Sequence, residues 1–168
     1  MSDPTATIEG KTYSEPIYKE GEAGSDLTPG ELLVRTGTNA QGEPIFDAVA
    51  STDALGAQAQ FAQVPSTPPQ RDGTDTDPVD QTIAAGTLVE VRIFRRGDTV
   101  KGALLASGGD LSTAADADVS GGTPLGSSDD GSLKATTTAG AAVAVADEAV
   151  DNSGAAAGER ARINVEVL

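Results

Sequence analysis

The stretch Arg160-Ala161-Arg162-Ile163-Asn164-Val165-Glu166-Val167-Leu168 alternates strictly, with Ala161, Ile163, Val165 and Val167 falling on one side. A period of two is the mark of a strand with one buried face, and a helix cannot use it. Leu55-Gly56-Ala57-Gln58-Ala59-Gln60-Phe61-Ala62-Gln63-Val64 repeats the pattern with smaller apolar residues. In Thr87-Leu88-Val89-Glu90-Val91-Arg92-Ile93-Phe94 both faces carry apolar residues at one end, which marks a central strand. Glu31-Leu32-Leu33-Val34-Arg35-Thr36, Ile45-Phe46-Asp47-Ala48-Val49, Thr99 to Ala106 and Ala141 to Ala146 read as further short strands. The chain's 20 glycines and 9 prolines punctuate them at turn spacing. The expected fold is all-β, with little helix.

The connections divide the chain. Leu27-Thr28-Pro29-Gly30 is a turn, and residues 37–44 are a hairpin connection. Arg95-Arg96-Gly97-Asp98 reads as a second hairpin turn, which accounts for its Arg-Gly-Asp tripeptide without a recognition role. Residues 65–80 interleave Pro65, Pro68, Pro69 and Pro78 with Asp72, Asp75, Asp77 and Asp80, and form an exposed loop. Residues 107–135 are rich in Gly, Ser and Asp, which fits short strands with long turns. Residues 1–26 are a polar stretch holding both tyrosines, Tyr13 and Tyr18, beside Ile17. Such rings mostly bury or dock, so this stretch is either an extended arm that orders on a partner or a first strand of the domain.

The core these strands can build is thin, because Leu, Ile, Val and Phe supply only 33 residues of 168. Formal net charge is −15, and Asp outnumbers Glu by 16 to 10. With Arg in excess of Lys and with abundant Ala, Thr and Gly, this is the profile of a protein adapted to molar salt, where self-repulsion is screened within about 3 Å. The sign of the charge and the scatter of the 11 basic residues exclude a nucleic-acid surface. The longest apolar run, residues 139–146, is far below the roughly 20 residues of a membrane helix. Met1-Ser2-Asp3-Pro4 has neither a basic nor an apolar leader region, so no signal peptide is expected.

With no His and no Cys, imidazole catalysis, thiol nucleophiles, zinc fingers and disulfides are unavailable to this chain. No Gly-x-Ser-x-Gly elbow is present, and the Gly-rich stretches lack the Lys of a phosphate loop. Asp116-Ala117-Asp118-Val119-Ser120-Gly121 satisfies the first half of a calcium loop, but Ser127 stands where the closing Glu belongs. Residues 72–80 have carboxylates without the glycine turn. The expectation is a non-enzymatic protein with no cofactor and no specific metal.

One recurrence runs through the chain. Leu27-Thr28-Pro29-Gly30-Glu31-Leu32-Leu33-Val34, Ile83-Ala84-Ala85-Gly86-Thr87-Leu88-Val89-Glu90 and Ala155-Ala156-Ala157-Gly158-Glu159-Arg160-Ala161-Arg162 each place a small-residue turn ending in Gly before a strand. These turns, the Ala-rich stretch at residues 141–150 and the final strand resemble the small capsid decoration proteins of tailed viruses, also called cement or head-stabilising proteins. The resemblance spans residues 27–168 and implies a small β-barrel or β-tulip, commonly trimeric, bound to the major capsid protein on the outside of the virion's shell. It implies an extended N-terminal arm at residues 1–26, with Tyr13, Ile17 and Tyr18 as capsid-binding anchors, followed by a β-rich domain at 27–168. With the acidic composition, the implied source is a tailed virus of a halophilic archaeon. Two other readings compete: a receptor- or glycan-binding β module of a viral fibre or cell surface, and a small salt-adapted hydrolase. The first lacks exposed aromatic platforms, since Phe46, Phe61 and Phe94 fall in strands, and the second lacks an activated nucleophile.

Overall fold

The computed structural model describes residues 17–50, 59–65, 77–138 and 140–168, and the backbone of residues 10–11. Two sheets carry the fold. The first runs in the order β3 (Leu33–Thr38), β4 (Pro44–Ala48), β2 (Ile17–Ala23), β6 (Leu88–Ile93), β5 (Gln60–Ala62). It curls until a bridge between Leu32 and Phe61 ties its two edges. The second contains β7 (Thr99–Leu105), β10 (Leu133–Ala135), β9 (Pro124–Ser127), β11 (Ala144–Ala146) and β13 (Ala161–Val167), and β13 pairs back onto β7 to close a five-stranded barrel. Its β7 edge also receives β1 (Gly10–Lys11), and β8 (Asp118–Val119) pairs with β12 (Val150–Asp151) beside it. Among the described residues the only helical elements are single 3₁₀ turns at Pro78–Asp80 and Ala114–Ala117. The all-β expectation is met.

Apolar residues are few, so the core is built where strands from both sheets meet. Inside the first sheet, Leu33, Phe46, Val89 and Val91 pack with Leu27 and Ile83. The larger cluster joins the sheets: Leu32, Phe61 and Phe94 from the first pack with Val100, Leu105, Leu125, Leu133, Ile163 and Val165 of the barrel. Phe61 and Phe94 meet edge to face with ring centroids 5.8 Å apart, the arrangement the ring quadrupoles favour. The C-terminal strand buries Ile163, Val165 and Val167, as its alternation requires.

The recurrence in the sequence has a structural counterpart. Leu27 and Ile83 face each other and exchange both backbone hydrogen bonds, at 2.9 and 2.7 Å. The glycines that close the three turns, Gly30, Gly86 and Gly158, have φ of +95°, +78° and +83°, a region open to glycine and strained for other residues.

Two readings are corrected. Residues 95–98 do form a tight turn, in which the Asp98 carboxylate accepts from Arg95 N–H at 2.7 Å, but the turn is no hairpin. β6 pairs with β2 and β5 while β7 pairs within the barrel, so the turn carries the chain from one sheet to the other. Its outer edge is taken by β13: Gly97 N–H donates to Val167 C=O, and Val167 N–H to Asp98 C=O, each at 2.8 Å. Second, β5 is buried on both faces rather than one, because Phe61 faces the joint cluster and Ala62 the interior of the first sheet.

Within the polar stretch at residues 1–26, Ile17–Ala23 is a strand lying between β4 and β6. It reads as polar because Lys19, Glu20 and Glu22 carry charge and its buried residues, Gly21 and Ala23, are small. The Phe46 ring fills the space over Gly21, where an added Cβ would lie 2.8 Å from the ring. Tyr13 lies outside the described residues, as does the middle of the Pro- and Asp-rich loop. The two ends of that loop come together, with Val64 packed on Val79.

Candidate functional site

Of the three residues expected to contact a partner, the two described ones sit at the start of β2. Ile17 opposes Ile93 at the rim of the sheet and is 39% exposed, while Tyr18 opposes Arg92 and is 59% exposed. Arg92 is held between two rings, its guanidinium carbon 5.6 Å from the Tyr18 centroid and 4.9 Å from that of Phe94. Such stacking is worth about 0.5–2 kcal/mol depending on desolvation, and it fixes the Tyr18 ring against the surface. Directly opposed residues of antiparallel strands project to the same face. Tyr18, Glu20 and Glu22 therefore share one face with Arg92, Glu90 and Leu88, and Leu88 is 58% exposed.

The N-terminal chain reaches both sheets in one register. Counting six residues back from Ile17 gives Lys11, and six forward from its partner Ile93 gives Thr99, the residue Lys11 faces. β1 on β7 thus continues the pairing of β2 on β6 without a slip, although β6 and β7 belong to different sheets.

A second constellation, invisible as a motif, lies where the sheets join. Glu31 precedes β3 and is 4% exposed. Its carboxylate accepts from Arg160 Nη1 at 2.5 Å, and Arg160 Nη2 donates to Thr28 Oγ1 at 2.8 Å. Burial raises the Glu31 carboxyl above its ordinary value of 4.5, against the opposing pull of the Arg160 hydrogen bond. Two positions on, Arg162 donates from Nη1 to the carbonyls of Pro29 and Gly102, and from Nη2 to Val79 C=O at 2.6 Å and to Asp80 at 3.0 Å. One guanidinium thus ties the turn before β3, the barrel strand β7 and the end of the long loop. Gly30 makes this possible: a Cβ there would lie 2.5 Å from both Arg162 Nη1 and Gly102 O.

Arg160 and Arg162 line a cleft of about 480 Å³ together with Thr28, Asp80, Thr82, Leu104 and Gly158. Both guanidinia are already engaged by protein acceptors, so the arrangement is a clasp between the sheets. The sequence signal was present but ambiguous, since Arg160 and Arg162 occupy the outward positions of an alternating strand, where exposed charge is the ordinary outcome.

The acidic segments weighed for cations are placed in part. Asp116 lies in the 3₁₀ turn and Asp118 in β8, where it opposes Asp151. Among the described residues no group of three or more acids is arranged to hold a metal ion. Asp110 instead serves as a loop tie, accepting from Ser107 Oγ at 2.6 Å and Gly158 N–H at 2.8 Å, bonds that lower its carboxyl below the usual range.

No family model and no curated protein matches this sequence. The fold is similar to a solved structure described as the crystal structure of the head fiber gp8.5 N base in bacteriophage phi29. The likeness has a TM-score of 0.53 and covers 92% of this chain and 95% of that one, at 13% sequence identity. At that identity what the two share is the fold, and they share it over nearly their whole length.

Proposed function

We propose that this chain is a structural protein of a tailed-virus particle that binds the outer surface of the capsid shell, as a decoration or fibre-base module. The observation that carries the reading is the near end-to-end likeness to the base of a head fibre. The clasp at the junction supports it, since its arginines are spent on holding two sheets together rather than offered to a ligand. The partner is the major capsid protein, and the N-terminal segment contributes Tyr13, Ile17 and Tyr18 to the contact. Self-association as a trimer belongs to the proposal, because a chain with only 33 Leu, Ile, Val and Phe in 168 residues builds a thin core and burial between copies would add to it. The acidic composition suits assembly in molar salt, as in a virus of a halophilic archaeon.

The test is co-sedimentation of the purified protein with capsids assembled from the major capsid protein of the same virus, in molar salt. Saturable binding at a fixed number of copies per capsid is the expected result. Protein left wholly in the supernatant at micromolar concentration overturns the reading.

A further inference from the structure

The first sheet carries an internal two-fold about the Leu27–Ile83 pair. Glu31 N–H donates to Thr28 C=O as Thr87 N–H donates to Ala84 C=O, both at 3.1 Å. Gly30 N–H bonds Ala62 C=O and Ala62 N–H bonds Glu31 C=O, at 2.9 and 3.0 Å. In the same way Gly86 N–H bonds Ala23 C=O and Ala23 N–H bonds Thr87 C=O, at 2.7 and 2.9 Å. One position on, Leu32 faces Phe61 across the strands as Leu88 faces Glu22. The turn at residues 28–32 and the turn at residues 84–88 are therefore twins.

One twin is covered and the other is bare. The barrel seals the first: Leu104 N–H donates to Gly30 C=O at 3.2 Å, Arg162 donates to Pro29 C=O, and Leu32 is wholly buried in the joint cluster. The second is exposed at all five positions, with Leu88 58% exposed. A Cβ at Gly30 would lie 2.5 Å from Arg162, whereas one at Gly86 meets nothing among the described residues within 4 Å. The bare turn is held in shape all the same. Thr87 Oγ1 donates to Ala84 C=O at 2.6 Å, and Ala85 N–H donates to Asp26 at 2.9 Å. A surface already shaped loses little entropy on docking.

We propose that the turn at residues 84–88 docks a strand edge of the major capsid protein, one with a free backbone N–H for Gly86 C=O and an apolar pocket for Leu88. This rests on the capsid-binding reading above. The covered twin shows the fit, because the same backbone there receives a barrel strand through one such N–H and one such pocket. A second copy has no free counterpart of that edge. Its Gly102, Leu104 and Arg162 are taken up by its own turn at residues 27–30, which leaves self-association to other surfaces. Glu22 stands where the covered twin has Phe61, so the contact is more polar than the joint core, as interfaces between separately folded proteins are. Backbone hydrogen bonds and apolar burial also persist in molar salt, where attraction between charges is screened.

The experiment measures capsid co-sedimentation in molar salt and thermal melting for Leu88→Ser, Ala85→Gln and a control, Leu168→Ser, at a similarly exposed leucine beyond β13. None of the three changes the net charge. Each test variant is expected to keep the wild-type melting temperature and lose capsid affinity about 10-fold or more, Leu88→Ser through lost burial and Ala85→Gln through added bulk. Leu168→Ser is expected to bind as wild type does. Wild-type affinity in either test variant overturns the docking surface and leaves the capsid reading standing. An equal loss in Leu168→Ser overturns it too, since any exposed leucine would then serve. Lost affinity with a lowered melting temperature in both test variants overturns it as well, because the turn would then belong to the core. A lower sedimentation coefficient of either free test variant assigns the turn to a second copy and overturns the choice of partner. No binding by wild type removes the capsid reading itself, and this inference with it.

Discussion

Replacing Arg162 by Met tests whether the junction is held by hydrogen bonds. The side chain is 24% exposed, and its guanidinium serves three backbone carbonyls and one carboxylate. The Asp80 partner is 61% exposed, and a surface ion pair of that kind contributes little, about 0–1 kcal/mol. The carbonyls of Pro29, Gly102 and Val79 matter more. A hydrogen bond from a charged donor is worth about 1.5–3 kcal/mol when buried, and at this partly wet site about 1 kcal/mol each is the fitting figure. Methionine keeps the stem's packing and removes all three, so the expected loss is about 3 kcal/mol. For a domain of this size that is a fall in melting temperature of roughly 6–12 °C, read by circular dichroism at fixed protein and salt. Lysine reaches one acceptor at a time and should recover about a third of the loss. Because the acceptors are dipoles, the deficit persists in molar salt, whereas Asp80→Ala melts close to wild type. A Met variant within 2 °C of wild type, or a deficit that vanishes on raising the salt, would refute the clasp.

Other outcomes follow from the same geometry. Gly30→Ala places a Cβ against Arg162 and Gly102 at φ +95°, and is expected to destabilise by about 2 kcal/mol or more in urea titration. A Gly30→Ala midpoint matching wild type would show that the turn has room. Deleting residues 2–16 removes β1 and should leave the β spectrum intact, whereas deleting 2–26 removes β2 from between its two partners and should abolish folding. A folded 2–26 deletion would place β2 outside the core. Glu31 holds its proton more tightly folded than unfolded, so its contribution is full below about pH 4.5 and is lost as pH rises through the raised value. Glu31→Gln should therefore flatten the decline of stability above pH 4.5, and an unchanged slope in urea midpoints contradicts this.

Strand after strand was legible because burial here follows simple alternation. Residues 99–105 and 161–167 fall as strands where the periodicity put them, and the hairpin at 37–44 closes around Asn39, whose side chain accepts from Gln41 and Glu43 N–H. Pairing partners were less legible. The turn at residues 95–98 has the chemistry of a hairpin, and nothing local in it shows that Val167 occupies its edge from about seventy residues away. β2 stayed open between arm and strand because its own inward residues are small, and the bulk comes from Phe46 on a neighbour, over Gly21. The clasp escaped notice for a related reason: an arginine at an outward strand position looks the same in sequence whether it faces water or three carbonyls.

The two sheets are joined by connections whose loss would be felt in both. β13 pairs along β7 and takes the edge of the inter-sheet turn, β1 and β2 follow β7 and β6 in one register, and Arg162 closes the remaining side. Phe94 and Phe61 then bury their rings between the sheets rather than within either. A chain this poor in large apolar residues gains by such placement, because each ring stabilises two sheets at once. The cost is that neither sheet has a sufficient core alone, so the pair should unfold as one cooperative unit. The join itself is short: β6 enters β7 through the hydrogen-bonded turn at residues 95–98, so strain in one sheet passes through paired backbone into the other.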